Sequence, residues 1–315
     1  MRALLLALVA CHHAAAPPDE GEMRALAVEK KLVGKPAPAL TVTTLDGKTI
    51  DLATLYGQKP VYLKFWATWC IPCKAQMPRF EKLFEQYGDQ VSFLAVNVGL
   101  DDDPTAVRAF RDQLGMKMPL VVDDGRLADT LALEVTPQHV LVGRDGRVAY
   151  VGHQDGERLD AAFAKVIADK PGDRVAPNTN LRPVLQVGDV APMITDHKKH
   201  AIELFATWCE DYLIDRRPTA SKACTKRRTE IDALRAAHAD VVFEGVSNAV
   251  WTSQQDIADY AKLSTLPIRI DADGATFRAF DVHELGTVVL IGSDGKVARI
   301  VKPADDLRSA VEALQ

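Results

Sequence analysis

The sequence predicts an α/β protein made of two similar domains, each with a mixed central sheet flanked by helices. A length of 315 residues suits about two domains rather than one. Three segments occur twice in the same order, and in the first copy apolar runs typical of buried strands alternate with helical stripes. Together these observations predict a tandem repeat of one fold.

The repeat is visible in three pairs of segments. The pairs are VGKPAP at 33–38 with VGDVAP at 187–192, FWATWC at 65–70 with LFATWC at 204–209, and VLVGRDGRVA at 140–149 with VLIGSDGKVA at 289–298. Because three matches in one order are hard to produce by chance, we predict homologous domains over 32–169 and 187–315. Residues 170–186 are rich in Pro, Gly and Asn and are predicted to be a linker.

The elements of the first copy follow from its hydrophobic pattern. Apolar runs at 61–66 and 91–98 predict buried strands, with one amphipathic helix between them. A second helical stripe and a strand at 119–122 come next. The turn Asp145-Gly146 lies between two apolar runs and predicts a hairpin, which a final helix follows. The predicted order is therefore β-α-β-α-β-β-α.

The N-terminus has the pattern of a bacterial export signal. A basic residue precedes a short apolar run, and LVAC at 8–11 resembles a lipobox in which Cys11 receives the lipid. We predict a signal peptide over 1–11, a polar tether over 12–31 and a membrane anchor at Cys11. Ordinary cleavage after the alanine run and an uncleaved helix are the alternatives. By resemblance to enteric lipoproteins, His12 favours the outer membrane.

Composition excludes several classes of function. The net charge of −5 and the lack of a basic block argue against a nucleic-acid partner. Beyond the first ten residues, no apolar run reaches the roughly 20 residues that a membrane span needs. The single CxxC has no second CxxC or HxxxH to complete a zinc site, so we predict neither a metal nor a cofactor.

Cys70 and Cys73 lie where the first strong strand ends and the amphipathic helix begins. A cysteine at this junction feels the positive end of the helix dipole and several free backbone N–H groups, which favour the thiolate. We predict that Cys70 is the accessible nucleophile that forms a mixed disulfide and that the more buried Cys73 resolves it. A purely structural disulfide is the alternative.

A proline just before the hairpin supports a redox site. Thr136-Pro137 leads into a strand, where a proline removes a hydrogen-bond donor and is usually excluded. A cis peptide bond in a tight turn explains this proline better. We therefore predict that the Thr136–Pro137 bond is cis.

These motifs resemble the TlpA/ResA branch of thioredoxin-like thiol–disulfide oxidoreductases. The segment FWATWCIPCK at 65–74 carries the resemblance, which covers 32–168 with specific motifs and 187–315 in degraded form. It implies two tandem thioredoxin-like folds, in which the loop of Thr136 and Pro137 lies against the CxxC and pairs with the substrate. Further substrate contacts are then expected at the neighbours of the cysteines, namely Trp69, Ile71 and Pro72.

The same resemblance implies a periplasm-facing reductase of protein disulfides. Apocytochrome c is a candidate substrate, and a membrane thiol reductase is the implied electron donor. The Ile-Pro dipeptide resembles reducing members of the family more than oxidising ones. Two residues depart from the pattern: Lys64 replaces a buried aspartate of thioredoxins, and Gln76 replaces a glutamate of some members. Neither carboxylate base of the family is therefore present, and the proton acceptor for Cys73 stays unidentified. We expect Lys64 to point to solvent; the alternative is that its charge favours the thiolate.

The second copy lacks the redox motif. Cys209 aligns with Cys70, but Tyr212 stands where Cys73 would be and Gly286 replaces the loop proline. We predict that this domain has no thioredoxin chemistry and is a binding platform stabilised by a structural Cys209–Cys224 disulfide. A relay disulfide and two free thiols are the alternatives.

Two other functions compete with the reductase. One is a non-catalytic binding or assembly lipoprotein that uses both domains as docking surfaces, against which the intact CxxC counts. The other is a peroxiredoxin-like peroxidase, whose site needs a threonine three residues before its cysteine. Ala67 and Ala206 hold those positions, which disfavours the peroxidase.

Overall fold

The computed structural model describes residues 19–170 and 172–314. Domain one contains α1 (Glu20–Leu32), β1 (Thr41–Thr43), β2 (Thr49–Asp51), α2 (Leu52–Leu55), β3 (Val61–Trp66), α3 (Ile71–Tyr87), β4 (Ser92–Asn97), α4 (Pro104–Leu114), β5 (Leu120–Val122), α5 (Arg126–Thr130), β6 (Gln138–Val142), β7 (Val148–Gly152) and α6 (Glu157–Ala168). Domain two contains β8 (Lys199–Phe205), α7 (Cys209–Tyr212), α8 (Pro218–Ala237), β9 (Val241–Asn248), α9 (Gln254–Tyr260), β10 (Ile268–Asp271), α10 (Ala275–Ala279), β11 (Thr287–Ile291), β12 (Val297–Val301) and α11 (Leu307–Glu312).

The two five-stranded sheets have the same topology. Their strand orders are β5-β4-β3-β6-β7 and β10-β9-β8-β11-β12. In each sheet the first three strands are parallel and the fourth is antiparallel to its neighbours. The predicted fold class, a tandem repeat of a mixed sheet flanked by helices, is confirmed.

The central strand and the hairpin form as the sequence predicts. All six residues of β3 are buried, and the strand pairs with β4 on one side and β6 on the other. In the turn between β6 and β7, Gly146 has a φ of 82°, a left-handed conformation that glycine adopts at little cost. Gly295 takes the same conformation, with a φ of 76°, in the matching hairpin of domain two.

The core of domain one is an aromatic cluster that joins the sheet to its helices. Tyr62 on β3 has ring centroids 5.1 Å from Phe80 on α3, 5.2 Å from Phe93 on β4 and 4.8 Å from Phe163 on α6. Edge-on and tilted contacts at these distances are the favourable geometry for aromatic pairs. The cluster fixes α3, and therefore the cysteines at its N-terminus, relative to β3.

Helix α1 corrects the prediction of a polar tether over 12–31. Ala25 and Val28 are fully buried, and the carboxylate of Glu22 accepts hydrogen bonds from the backbone N–H groups of His153 (2.9 Å) and Gln154 (3.0 Å). Arg158 forms an ion pair with the same carboxylate. The sequence of this segment looks polar because its apolar stripe is short. Its acidic side chains nevertheless bind the end of β7 instead of water. Residues 12–18 of the predicted tether lie outside the described residues.

The predicted linker runs along both domains. Asn178 exchanges two backbone hydrogen bonds with domain one, from Ala39 N–H to its carbonyl and from its own N–H to Ala37, each 2.8 Å long. Arg182 forms ion pairs with Asp129 of domain one (3.2 Å) and Asp273 of domain two (3.0 Å). This part of the chain is therefore held to the protein surface by its own backbone and side chains.

Within the described residues, the helices are either too short or too polar to cross a membrane.

Candidate active site

The two cysteines of the CxxC lie at the junction of β3 and α3. Cys70 is the N-cap of α3, and Pro72 occupies the first turn, where the missing N–H of a proline is tolerated. Cys70 and Cys73 form a disulfide, with their Cα atoms 5.3 Å apart. The N–H of Cys73 points at Cys70 Sγ at 3.2 Å. On reduction, this donor and the N-terminus of a 17-residue helix favour the thiolate of Cys70.

Cys70 is less accessible than the sequence leads us to expect. Only 2% of its surface is exposed, close to the 0% of Cys73, whereas Ile71 between them is 52% exposed. Domain two contacts this end of α3, where the Tyr212 hydroxyl hydrogen-bonds the N–H of Ile71 and the carbonyl of Trp69. Burial therefore does not separate the two cysteines, and the difference between them is the hydrogen bond to Cys70 Sγ.

The loop before β6 carries the predicted proline. The Thr136–Pro137 peptide bond is cis, and Thr136 is fully buried. The carbonyl of Pro137 accepts a 2.7 Å hydrogen bond from the His153 ring, which holds this loop to the end of β7. The carbonyl of Thr136 accepts a hydrogen bond from Trp251 Nε1 of domain two at 3.2 Å.

Trp69 precedes the site as predicted but contacts domain two. Its indole Nε1 donates to the carbonyl of Leu100 at 2.8 Å, and its ring centroid is 4.9 Å from that of Trp208. Trp208 is its counterpart in the repeat, and its Nε1 donates in the same way to the carbonyl of Val250 at 2.7 Å. The two tryptophans therefore meet at the interface between the domains.

The expectation that Lys64 points to solvent is wrong. Its side chain is fully buried, its Nζ lies 4.4 Å from the centroid of Phe80, and it donates to Gln76 Oε1 at 3.2 Å. Burial lowers the pKa of Lys64 to about 7, and the carboxylate of Asp155 offsets only part of the lost hydration. Lys64 is buried because β3 is the central strand and helices cover both of its faces.

Lys64 and Gln76 form part of a chain of polar groups that joins β3, α3 and β6. Gln76 Nε2 donates to the carbonyl of His153 at 3.1 Å. His139, also fully buried, hydrogen-bonds Tyr62 Oη at 2.6 Å and the same His153 carbonyl at 3.1 Å. Burial lowers the pKa of His139 well below its usual value, with the nearby Lys64 as a secondary cause. Sequence analysis missed this chain, although polar residues at buried positions of β3 and β6 are its signal.

Domain two has a disulfide in the corresponding place. Cys209, at the start of α7, is bonded to Cys224 on α8, with Cα atoms 6.3 Å apart. Tyr212 follows Cys209 by three residues, but the buried stripe of α8 runs through Cys224, Ile231 and Leu234. That stripe has the spacing of Cys73, Phe80 and Leu83 on α3. By this spacing, Cys224 rather than Tyr212 corresponds to Cys73.

The surroundings of Cys209 differ from those of Cys70. The carbonyl of Ala220 lies 4.0 Å from its sulfur, and a carbonyl oxygen would repel a thiolate. Gly286, at the position of the cis-proline, has a φ of 84° and donates its N–H to Leu204 at 2.8 Å. The helix that begins at Cys209 has four residues, against 17 in α3, so its dipole favours an ionised thiol less.

Comparison with known proteins agrees with the geometry of domain one. Residues 33–151 match the AhpC/TSA family. The "Thiol-disulfide oxidoreductase ResA" of Bacillus anthracis is 37% identical over 142 residues, which are 44% of this chain and 80% of the relative. "Thioredoxin-like protein YneN" of Bacillus subtilis is 40% identical over 91 residues, 29% of this chain and 53% of the relative. Among solved structures, a putative thiol:disulfide interchange protein DsbE from Chlorobium tepidum has a TM-score of 0.40 and 25% identity, and the match covers 43% of this chain and 98% of that one.

Proposed function

This chain belongs to the family of ResA thiol-disulfide oxidoreductases, and we propose that it is a reductase of protein disulfides in which Cys70 is the nucleophile and Cys73 the resolving residue. The observation that carries the proposal is the hydrogen bond from the Cys73 N–H to Cys70 Sγ at the N-terminus of α3. A donor and a helix dipole directed at one sulfur select that sulfur as the thiolate.

The reaction proceeds by two exchanges. The Cys70 thiolate attacks a substrate disulfide, so that a bond forms between Cys70 and one substrate sulfur while the other substrate sulfur leaves as a thiolate. Cys73 then attacks Cys70, the Cys70–Cys73 bond forms, and the substrate leaves with two reduced sulfurs. A membrane thiol reductase would supply the two electrons that restore the dithiol.

The reduction potential tests the direction of this chemistry. We expect the Cys70/Cys73 pair, equilibrated with glutathione, to have a potential near that of thioredoxin, about −270 mV. The dithiol form of the protein should then reduce insulin in a turbidity assay. A potential near that of strong oxidants, about −120 mV, would show that the protein oxidises its substrates instead.

The Cys209–Cys224 bridge is proposed to be structural, because its sulfur faces a carbonyl and it links α7 to α8. It closes a loop with a sequence separation of 15, and such a loop contributes about 3 kcal/mol. We therefore expect the Cys209→Ala/Cys224→Ala variant to lose about 3 kcal/mol of unfolding free energy and to keep its insulin-reduction rate. A variant that melts like the wild type but turns over slowly would instead identify this bridge as a relay.

The protein is proposed to act on the periplasmic side of the cell envelope, attached by lipid at Cys11. This cysteine lies outside the described residues, and the proposal rests on the lipobox pattern of residues 8–11. With Cys11→Ser, we expect the protein to move from the membrane fraction to the soluble periplasmic fraction. A mature protein of unchanged mass and unchanged fractionation would contradict lipidation. Apocytochrome c stays a candidate substrate.

A further inference from the structure

Domain two covers the face of domain one that surrounds the Cys70–Cys73 disulfide. The Tyr212 hydroxyl donates to the carbonyl of Trp69 at 3.4 Å and accepts from the N–H of Ile71 at 3.3 Å. On the other side of the cysteines, Trp251 Nε1 donates to the carbonyl of Thr136. Backbone groups on both sides of the disulfide, which an incoming chain would need, are thus already paired with domain two.

Backbone hydrogen bonds and an ion pair hold domain two against this face of domain one. The N–H of Asp101 donates to the carbonyl of His283 at 2.8 Å, and the N–H of Trp251 donates to the carbonyl of Glu134 at 3.2 Å. Asp102, whose side chain is buried, forms a 2.6 Å ion pair with Arg217 of domain two. Separating the domains would remove the ion-pair partner of this carboxylate and leave it the hydrogen bonds from Thr68 and Asn97 of domain one. A folded substrate therefore cannot reach Cys70 on the covered side while the domains remain docked.

One groove still reaches Cys70. It has a volume of about 530 Å³ and runs between the start of α3, one face of α4 and the segment of domain two that precedes α8. Its apolar wall includes Ile71 and Phe110. Small-ligand sites have volumes of about 300–1,000 Å³, and this groove falls within that range. It therefore admits a few residues of extended chain but not a folded domain.

The charged side chains of this groove are all basic. Lys74 on α3 and Arg216 and Arg217 from domain two line it, and its lining contains no carboxylate. Arg217 is neutralised by Asp102, which leaves Lys74 and Arg216 as the exposed cations. The Arg216 guanidinium lies over the Tyr212 ring, 4.3 Å from its centroid, and this contact holds it at the groove.

We propose that this groove selects an extended, acidic segment around a disulfide, with Arg216 and Lys74 as the residues that determine specificity. The inference rests on the proposed function and names its substrate class. Opposite charge at the groove raises the rate of encounter with the substrate, and domain two excludes substrates that are folded around their disulfide. Domain two, the predicted binding platform, thus restricts which substrates reach the redox site of the same chain.

The test compares two disulfide-linked peptides of equal length, one with glutamate and one with lysine beside each cysteine. With the reduced full-length protein at low ionic strength, we expect kcat/KM to be about tenfold higher for the acidic peptide. Added salt should close the gap, because screening weakens the attraction. A folded protein with one exposed disulfide should be reduced at least about tenfold more slowly than the acidic peptide, since it requires the rare undocked state.

Charge reversal at the groove provides the matched comparison. Arg216→Glu combined with Lys74→Glu should reverse the preference between the peptides. Lys59→Glu combined with Arg299→Glu makes the same change in net charge at exposed positions outside the groove and should preserve the preference. Equal rates with both peptides in the wild type, or equally fast reduction of the folded protein, would overturn this inference alone. If the wild type reduced none of these substrates, the proposed function would fall as well.

Discussion

Replacing Cys70 by serine is expected to lower disulfide reduction by at least about a thousandfold, since a serine hydroxyl cannot form the mixed disulfide through which exchange proceeds. Insulin reduction and peptide reduction should both be lost. The fold should remain, because serine is close to cysteine in size and can still cap α3 through its side-chain oxygen. The measurement is the rate of thiol release, with circular dichroism as the check on folding.

Replacing Cys73 by serine should have a different outcome. Cys70 can then attack a substrate, but nothing resolves the product, so a mixed disulfide should accumulate. Non-reducing electrophoresis and mass spectrometry would detect it as an adduct at Cys70. Because both cysteines are almost fully buried, the assignment depends on the hydrogen bond from the Cys73 N–H to Cys70 Sγ. Equal trapping by the two variants would show that this bond does not select the nucleophile.

The second large effect concerns the buried amine of Lys64. Burial lowers the pKa of this group to about 7 in the folded protein, from 10.5, so between these values the unfolded chain binds a proton that the folded one does not. The contribution of Lys64 to stability therefore falls as the pH decreases from 10.5 to about 7 and stays low below that. Lys64→Met, which keeps the length and removes the charge, should be free of this penalty.

As the pH falls from about 9.5 to about 7, we expect the unfolding free energy of Lys64→Met to rise by about 3 kcal/mol relative to that of the wild type. Chemical denaturation with both disulfides intact would measure the difference at each pH, because the four cysteines in these bonds do not titrate. Lys82→Met provides the control, since Lys82 lies on α3 and is exposed. A difference for Lys64→Met that stays constant with pH, like that of the control, would mean that Lys64 reaches water in solution.

Local patterns in the sequence were sufficient for the fold of each domain. The buried run of β3, the stripe of α3 and the Asp145-Gly146 turn each describe neighbouring residues, and each gave the element that the structure contains. The junction of β3 and α3 places Cys70 and Cys73 without further information. The repeat of these patterns predicted the second sheet, which has the same strand order.

Tertiary structure alone decided how the site is enclosed. Tyr212 meets Ile71 across 141 residues of sequence, and Trp251 meets Thr136 across 115. Lys64 is buried because neighbouring strands and helices cover it, whereas its own residue type predicts exposure. Contacts of this kind depend on how whole elements pack, and hydrophobic periodicity reports only which face of an element is buried, not which partner covers it. The sequence by itself therefore determined the redox centre and its fold, and the docking of the two domains determined what can reach that centre.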